Sequence, residues 1–112
     1  MNGGTDVAIM HDSTANDAFT STPTSNLATM TSGAITQTAS GFKTITSSAG
    51  SGGSDTATLN DTPSNDIFTS SLTTNSATMS GGGYLVTANG FGVLTAYASN
   101  GRNDTAQMTD SS

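Results

Sequence analysis

Large apolar residues are sparse along this chain, and within short runs they fall at every second position. Ala8 and Met10 alternate with Val7 and Ile9. Ala57 and Leu59 alternate with Thr56 and Thr58, and Ala106 and Met108 with Thr105 and Gln107. The small-then-large apolar pair is kept, while the positions between drift towards polar. A period of two belongs to a strand with one buried face. The same Ala-x-Met phrase returns at Ala28 and Met30 and at Ala77 and Met79. Another strand is predicted after Gly41-Phe42 and after Gly90-Phe91, with Ile45/Leu94, Ser47/Ala96 and Ala49/Ala98 facing inward. Shorter strands are predicted through Phe19 and Phe68, and near 35–38 and 84–87. Gly, Asn, Asp and Ser bound each run and mark turns. No segment carries a helical stripe of useful length.

These runs belong to an internal repeat. Asp6, Asp55 and Asp104 head the same phrase and lie 49 residues apart. Asp12, Asp61 and Asp110 follow in register, as do Asn16-Asp17 with Asn65-Asp66 and Phe19 with Phe68. Between the two full copies 22 of 49 positions are identical, without a gap. The chain therefore reads as one repeat array: a first unit at 2–50, a second at 51–99 and a partial third at 100–112. Each unit holds about five short strands. An inward row of Ala, Met, Leu and Phe suits an all-β, parallel β-solenoid of the β-helix or β-roll kind, with like residues stacked at the ~4.8 Å strand spacing. Two strands per coil make a coil of about 16–20 residues, so one unit fills about two and a half to three coils. The alternative is a pseudo-twofold β-sandwich, which regular short strands also suit.

Composition narrows the function more than the fold. Hydrophobic residues are 32% of the chain, with no Trp, four Phe and two Tyr. That is little for a conventional core in a chain of 112 residues. Abundant Thr, one Lys, two Pro and no Glu favour thin-cored β-structure over disorder. The net charge is −6, and Lys43 and Arg102 are the only basic side chains. Two cations neutralise few phosphates, which argues against nucleic acid and anionic membrane surfaces as partners. There is no Cys, hence no disulfide and no thiolate site. No apolar run is long enough for membrane insertion, and no secretion signal precedes the repeats.

All eight acids are Asp, and all belong to one recurring set: Asp6, Asp12, Asp17, Asp55, Asp61, Asp66, Asp104 and Asp110. Two readings stand. Carboxylates a few residues apart on stacked turns offer the oxygen donors that Ca²⁺ takes. Equally, Asp and Asn are turn residues, whose side chains accept backbone N–H bonds with no metal present. The phrases Asp12-Ser13-Thr14-Ala15-Asn16-Asp17-Ala18-Phe19 and Asp61-Thr62-Pro63-Ser64-Asn65-Asp66-Ile67-Phe68 resemble the Gly-Asn-Asp-x-Phe/Leu phrase of RTX calcium-binding repeats. They resemble more fully the Asp/Gly-rich repeats of large secreted or surface proteins of planctomycetes and related aquatic bacteria. That second likeness spans the unit, including Gly41-Phe42 and Gly90-Phe91. The RTX likeness implies a calcium-bound β-roll, although the strict nine-residue spacing and the Gly-Gly-x-Gly turn of that family are missing.

Nothing in the pattern points to an enzyme. His11 aligns with Asn60 and Thr109, so the unit does not keep it. A Ser nucleophile needs a base and a group to orient that base. Thr pairs such as Thr36/Thr38, Thr44/Thr46 and Thr56/Thr58 are not kept either, which argues against an ice-binding array. Tyr84 and Tyr97 align with Ile35 and Ser48 and make no repeated aromatic row for an adhesive surface. The expectation is a structural repeat module of an extracellular or cell-surface protein: a stalk, spacer or self-assembling filament subunit. Its partners would be further copies of itself or further repeats. The alternative is a calcium-binding or adhesive module.

Overall fold

A computed structural model describes residues 6–50, 52–100 and 103–109. In chain order the strands are β1 (Val7–His11), β2 (Asp17–Thr22), β3 (Leu27–Ser32), β4 (Ile35–Ser40) and β5 (Thr44–Ser48) in the first unit. β6 (Thr56–Asn60), β7 (Ile67–Ser71), β8 (Ser76–Gly81), β9 (Tyr84–Asn89) and β10 (Val93–Tyr97) form the second, and β11 (Thr105–Thr109) begins the third. Five strands per unit match the periodicity. Among the described residues the one helical element is a 3₁₀ turn at Pro23–Ser25, closed by Asn26 in the left-handed region. Among the described residues no helix is long and apolar enough to cross a membrane.

The strands make two mixed sheets. One has the order β1-β5-β9-β8-β7-β11, the other β10-β6-β2-β3-β4. The all-β class is as expected, but the parallel solenoid is not: each unit contains an antiparallel meander, β2-β3-β4 or β7-β8-β9. The cause is linker length. Only Gly33-Ala34 joins β3 to β4, and only Gly82-Gly83 joins β8 to β9. Two residues allow a hairpin, whereas a parallel connection needs a crossover of about a dozen. The architecture fits the β-sandwich alternative better than the parallel solenoid.

Parallel pairing appears wherever the chain switches sheets. β1 pairs with β5, and β6 with β10, in the same register shifted by one unit: Val7 faces Thr44, and Thr56 faces Val93. The last strand of the first unit, β5, also pairs in parallel with β9 of the second. β2 pairs with β6 as β7 pairs with β11, so each meander hands on to the first strand of the next unit. Equivalent strands of successive units lie in opposite sheets: β1, β6 and β11 alternate, as do β2 and β7.

Both sheets face one core. In the first sheet an inward row runs Ala8, Ile45, Val86, Met79, Phe68 and Ala106. In the second it runs Leu94, Ala57, Phe19, Met30 and Gln37. Among the described residues, seven of the sixteen buried apolar residues are Ala, so the interior is thin. Its largest fully buried side chains are Phe19 and Phe91, whose rings lie 6.1 Å apart. This contact joins one unit's second strand to the next unit's Gly-Phe corner. Gly90 makes the corner possible. It has φ +81, and a Cβ there would collide with the Ala49 carbonyl, so any other residue would be both strained and crowded.

Candidate metal centre

The turn between β1 and β2 is held by its own polar side chains. The Asp17 carboxylate accepts the Ser13 amide at 3.0 Å and the Ser13 hydroxyl at 3.3 Å. The Ser13 Oγ in turn accepts the Ala15 amide. The next copy repeats this: Asp66 accepts the Thr62 amide at 3.0 Å and the Thr62 hydroxyl at 2.9 Å, and Thr62 Oγ1 accepts the Ser64 amide. This is how Asp stabilises a tight turn, and it realises the turn-residue reading.

Each turn is then tied to the following unit. The Asp17 amide donates to Asp55 Oδ1 at 2.8 Å, and the Ser54 amide to Asn16 Oδ1 at 2.8 Å. One unit on, the Asp66 amide donates to Asp104 Oδ1 at 2.9 Å and the Asn103 amide to Asn65 Oδ1. Asp61 is fully buried and accepts both the backbone and the side-chain amide of Asn100, each at 2.8 Å. The recurring Asn-Asp pair thus has divided roles: Asn reaches to the next unit, and Asp closes its own turn.

These bonds gather two groups of carboxylates, Asp12/Asp17/Asp55 and Asp61/Asp66/Asp104. In each, one oxygen per residue lies within 4.8 Å of the others. The groups are related by the 49-residue shift. Each is built from two acids of one unit and the leading acid of the next, rather than from three of one unit. Asp6 is exposed and joins neither group, and Asp110 lies outside the described residues. Asp17, Asp55, Asp61 and Asp66 are buried. The donors described for Asp17, Asp61 and Asp66 are neutral amides and hydroxyls. Lys43 lies over the Tyr84 ring instead, and Arg102 is outside the described residues.

Like charges at this spacing repel by roughly 3–4 kcal/mol per pair at an effective dielectric of about 20. A divalent cation held there would offset that repulsion. The donor set is all oxygen, which suits a hard cation such as Ca²⁺ and not a metal that prefers nitrogen or sulfur. Ser32 faces Asp17 across the β2–β3 ladder, and its buried hydroxyl has no hydrogen-bond partner. In the second group Gly81 replaces Ser32, and a Cβ there would collide with the Asp66 carboxylate.

The sequence displays the Asp set but not its partners Ser13/Thr62 and Asn100, nor the unpartnered Ser32 hydroxyl that faces Asp17 across the ladder. The shared hydroxyl at positions 13 and 62 was the available signal. Asn100 and Ser32 vary or lack a described equivalent, so repetition could not single them out. His11 lies on an exposed strand position, and its carbonyl accepts the Gln37 side-chain amide. No known protein family, curated protein or solved structure matches the chain.

Proposed function

We propose that this chain is a structural repeat module of an extracellular or cell-surface protein, serving as a stalk, spacer or self-assembling filament subunit, with no catalytic role. One observation carries the reading: strand pairings made within and between units recur in identical register after 49 residues. A unit that presents the surface its successor covers can be added repeatedly, and length then scales with copy number. The absence of Cys and the scarcity of charged side chains suit a rod exposed to oxidant and salt. Five strands per unit, shared by two sheets, extend each sheet by two and a half strands. At ~4.8 Å per strand, each unit adds about 12 Å. Small-angle scattering from chains lengthened by one, two and three further units tests this. A constant cross-section with equal increments of about 12 Å supports the reading, while compact growth of a single globule overturns it.

A second reading, calcium at the unit junctions, is favoured by the two three-carboxylate groups. Each cation would bind acids of two successive units and so clamp the junction that the rod depends on. The likeness of the Asn-Asp-x-Phe phrases to calcium-binding repeats points the same way.

A further inference from the structure

Among the described residues, the two free edges of the second sheet are β4 and β10. Both are exposed where their equivalents are covered. On β10, Leu94 and Ala96 are partly exposed, whereas their equivalents Ile45 and Ser47 on β5 are 3% and 0% exposed. On β4, Gln37 is exposed, whereas its equivalent Val86 on β9 is 1% exposed. Within the chain β5 and β9 pair with each other. The free edges are therefore the two halves of a junction that the molecule already makes once. Neither carries a charge or a Pro, the usual devices that keep an edge from pairing.

We infer that a second copy of this chain docks head to tail, its β4 lying parallel to β10 of the first. This rests on the repeat-module reading above and names its partner surface. The β5–β9 register, Thr44 to Leu85 through Ser48 to Asn89, sets Val93 opposite Thr36 of the second copy and Tyr97 opposite its Ser40. The same step brings Phe42 of the second copy onto Phe68, as Phe91 lies on Phe19. Phe42 is only partly buried in its own chain. The recess that receives it, about 830 Å³, is lined by Phe68, Leu72, Phe91, Leu94 and Met108. Met108 of β11 borders the recess in the single chain and is 73% exposed; in the docked pair Met10 of the second copy, 3% exposed within its own chain, takes its position.

In the first sheet β1 of the second copy takes the place of β11. Both strands carry the same Asp-x-Ala-x-Met phrase, and β11, exposed at all five residues, is the weakly covered one. Asp6 of the incoming copy then accepts the Asp66 amide in place of Asp104. The two surfaces differ, so the contact is heterologous and propagates as an open chain.

The ladder supplies the test. The Leu85 amide donates to Lys43 and the Ala49 amide to Asn89. Alternation along a parallel ladder points the Thr87 and Ser47 amides into the same junction. Their equivalents on the free edges are Thr38 and Ala96. Thr38→Pro blocks the β4 edge and Ala96→Pro the β10 edge, with circular dichroism checking that each variant folds. In sedimentation velocity the natural chain should form a concentration-dependent ladder of oligomers. Each variant alone should stay monomeric, and their equimolar mixture should give a dimer and nothing larger, because only one competent pair of edges remains. A third variant, Phe42→Ser, leaves both edge strands intact and should weaken association about tenfold or more. A natural chain that stays monomeric at all concentrations, continued elongation by either proline variant, or a Phe42→Ser chain that associates normally overturns the proposal. If the natural chain is monomeric while chains extended by further units still lengthen in equal steps, docking fails and the repeat-module reading stands.

Discussion

At the scale of single residues, stability is concentrated at the few large side chains that face the thin interior. Phe19 is 1% exposed and joins two units, whereas Ile9, one of the larger aliphatic residues, is 64% exposed. Phe19→Ala is expected to cost about 3–5 kcal/mol, since neighbouring Ala residues cannot close the cavity. Ile9→Ala should change stability by less than about 0.5 kcal/mol. Urea unfolding monitored by circular dichroism separates the two, and equal losses would contradict the assigned faces. These faces were legible in the sequence because period two survives comparison of the copies. Ala8, Met10, Ala57, Leu59, Ala77 and Met79 all turn inward. Met108 does not obey the rule, because burial of an inward residue needs the next unit's strands, which the periodicity of one strand does not report.

At the scale of elements, the β1–β2 and β6–β7 turns do two things at once. They close on their own Asp and they hold the leading Asp of the next unit. The sequence displayed the acids but not their grouping across units, because spacing along the chain is silent about which turn meets which. The turn and cation roles separate under Asp→Asn substitution. Asn keeps a side-chain oxygen to accept the Ser13 or Thr62 amide, yet removes a charge that a cation needs. Calorimetric titration of the natural chain with Ca²⁺ should give two sites, one per carboxylate group. Asp17→Asn should abolish one of these and Asp66→Asn the other. At a hundredfold excess over Kd each site should add about 2.7 kcal/mol of stability. No binding, together with identical unfolding in EDTA and in Ca²⁺, would leave the carboxylates as turn and junction residues alone.

At the scale of the whole molecule, the strands of one unit are divided between two sheets, and the next unit reverses the division. Strand positions could be read from sequence, but sheet membership could not. The Ala-x-Met phrase is the same whether its strand pairs in parallel or antiparallel fashion. The two-residue Gly33-Ala34 and Gly82-Gly83 links are the signal in the sequence that favours hairpins over a parallel solenoid. The alternation of sheets is also what leaves complementary edges at β4 and β10, so the account of rod growth depends on it. Nuclear Overhauser contacts in solution test it most directly. The account predicts close Hα–Hα contacts across the antiparallel β2–β3 and β8–β9 pairs, together with parallel-type contacts joining β2 to β6 and β5 to β9. Parallel-type contacts throughout, with none across β2–β3 or β8–β9, would contradict it.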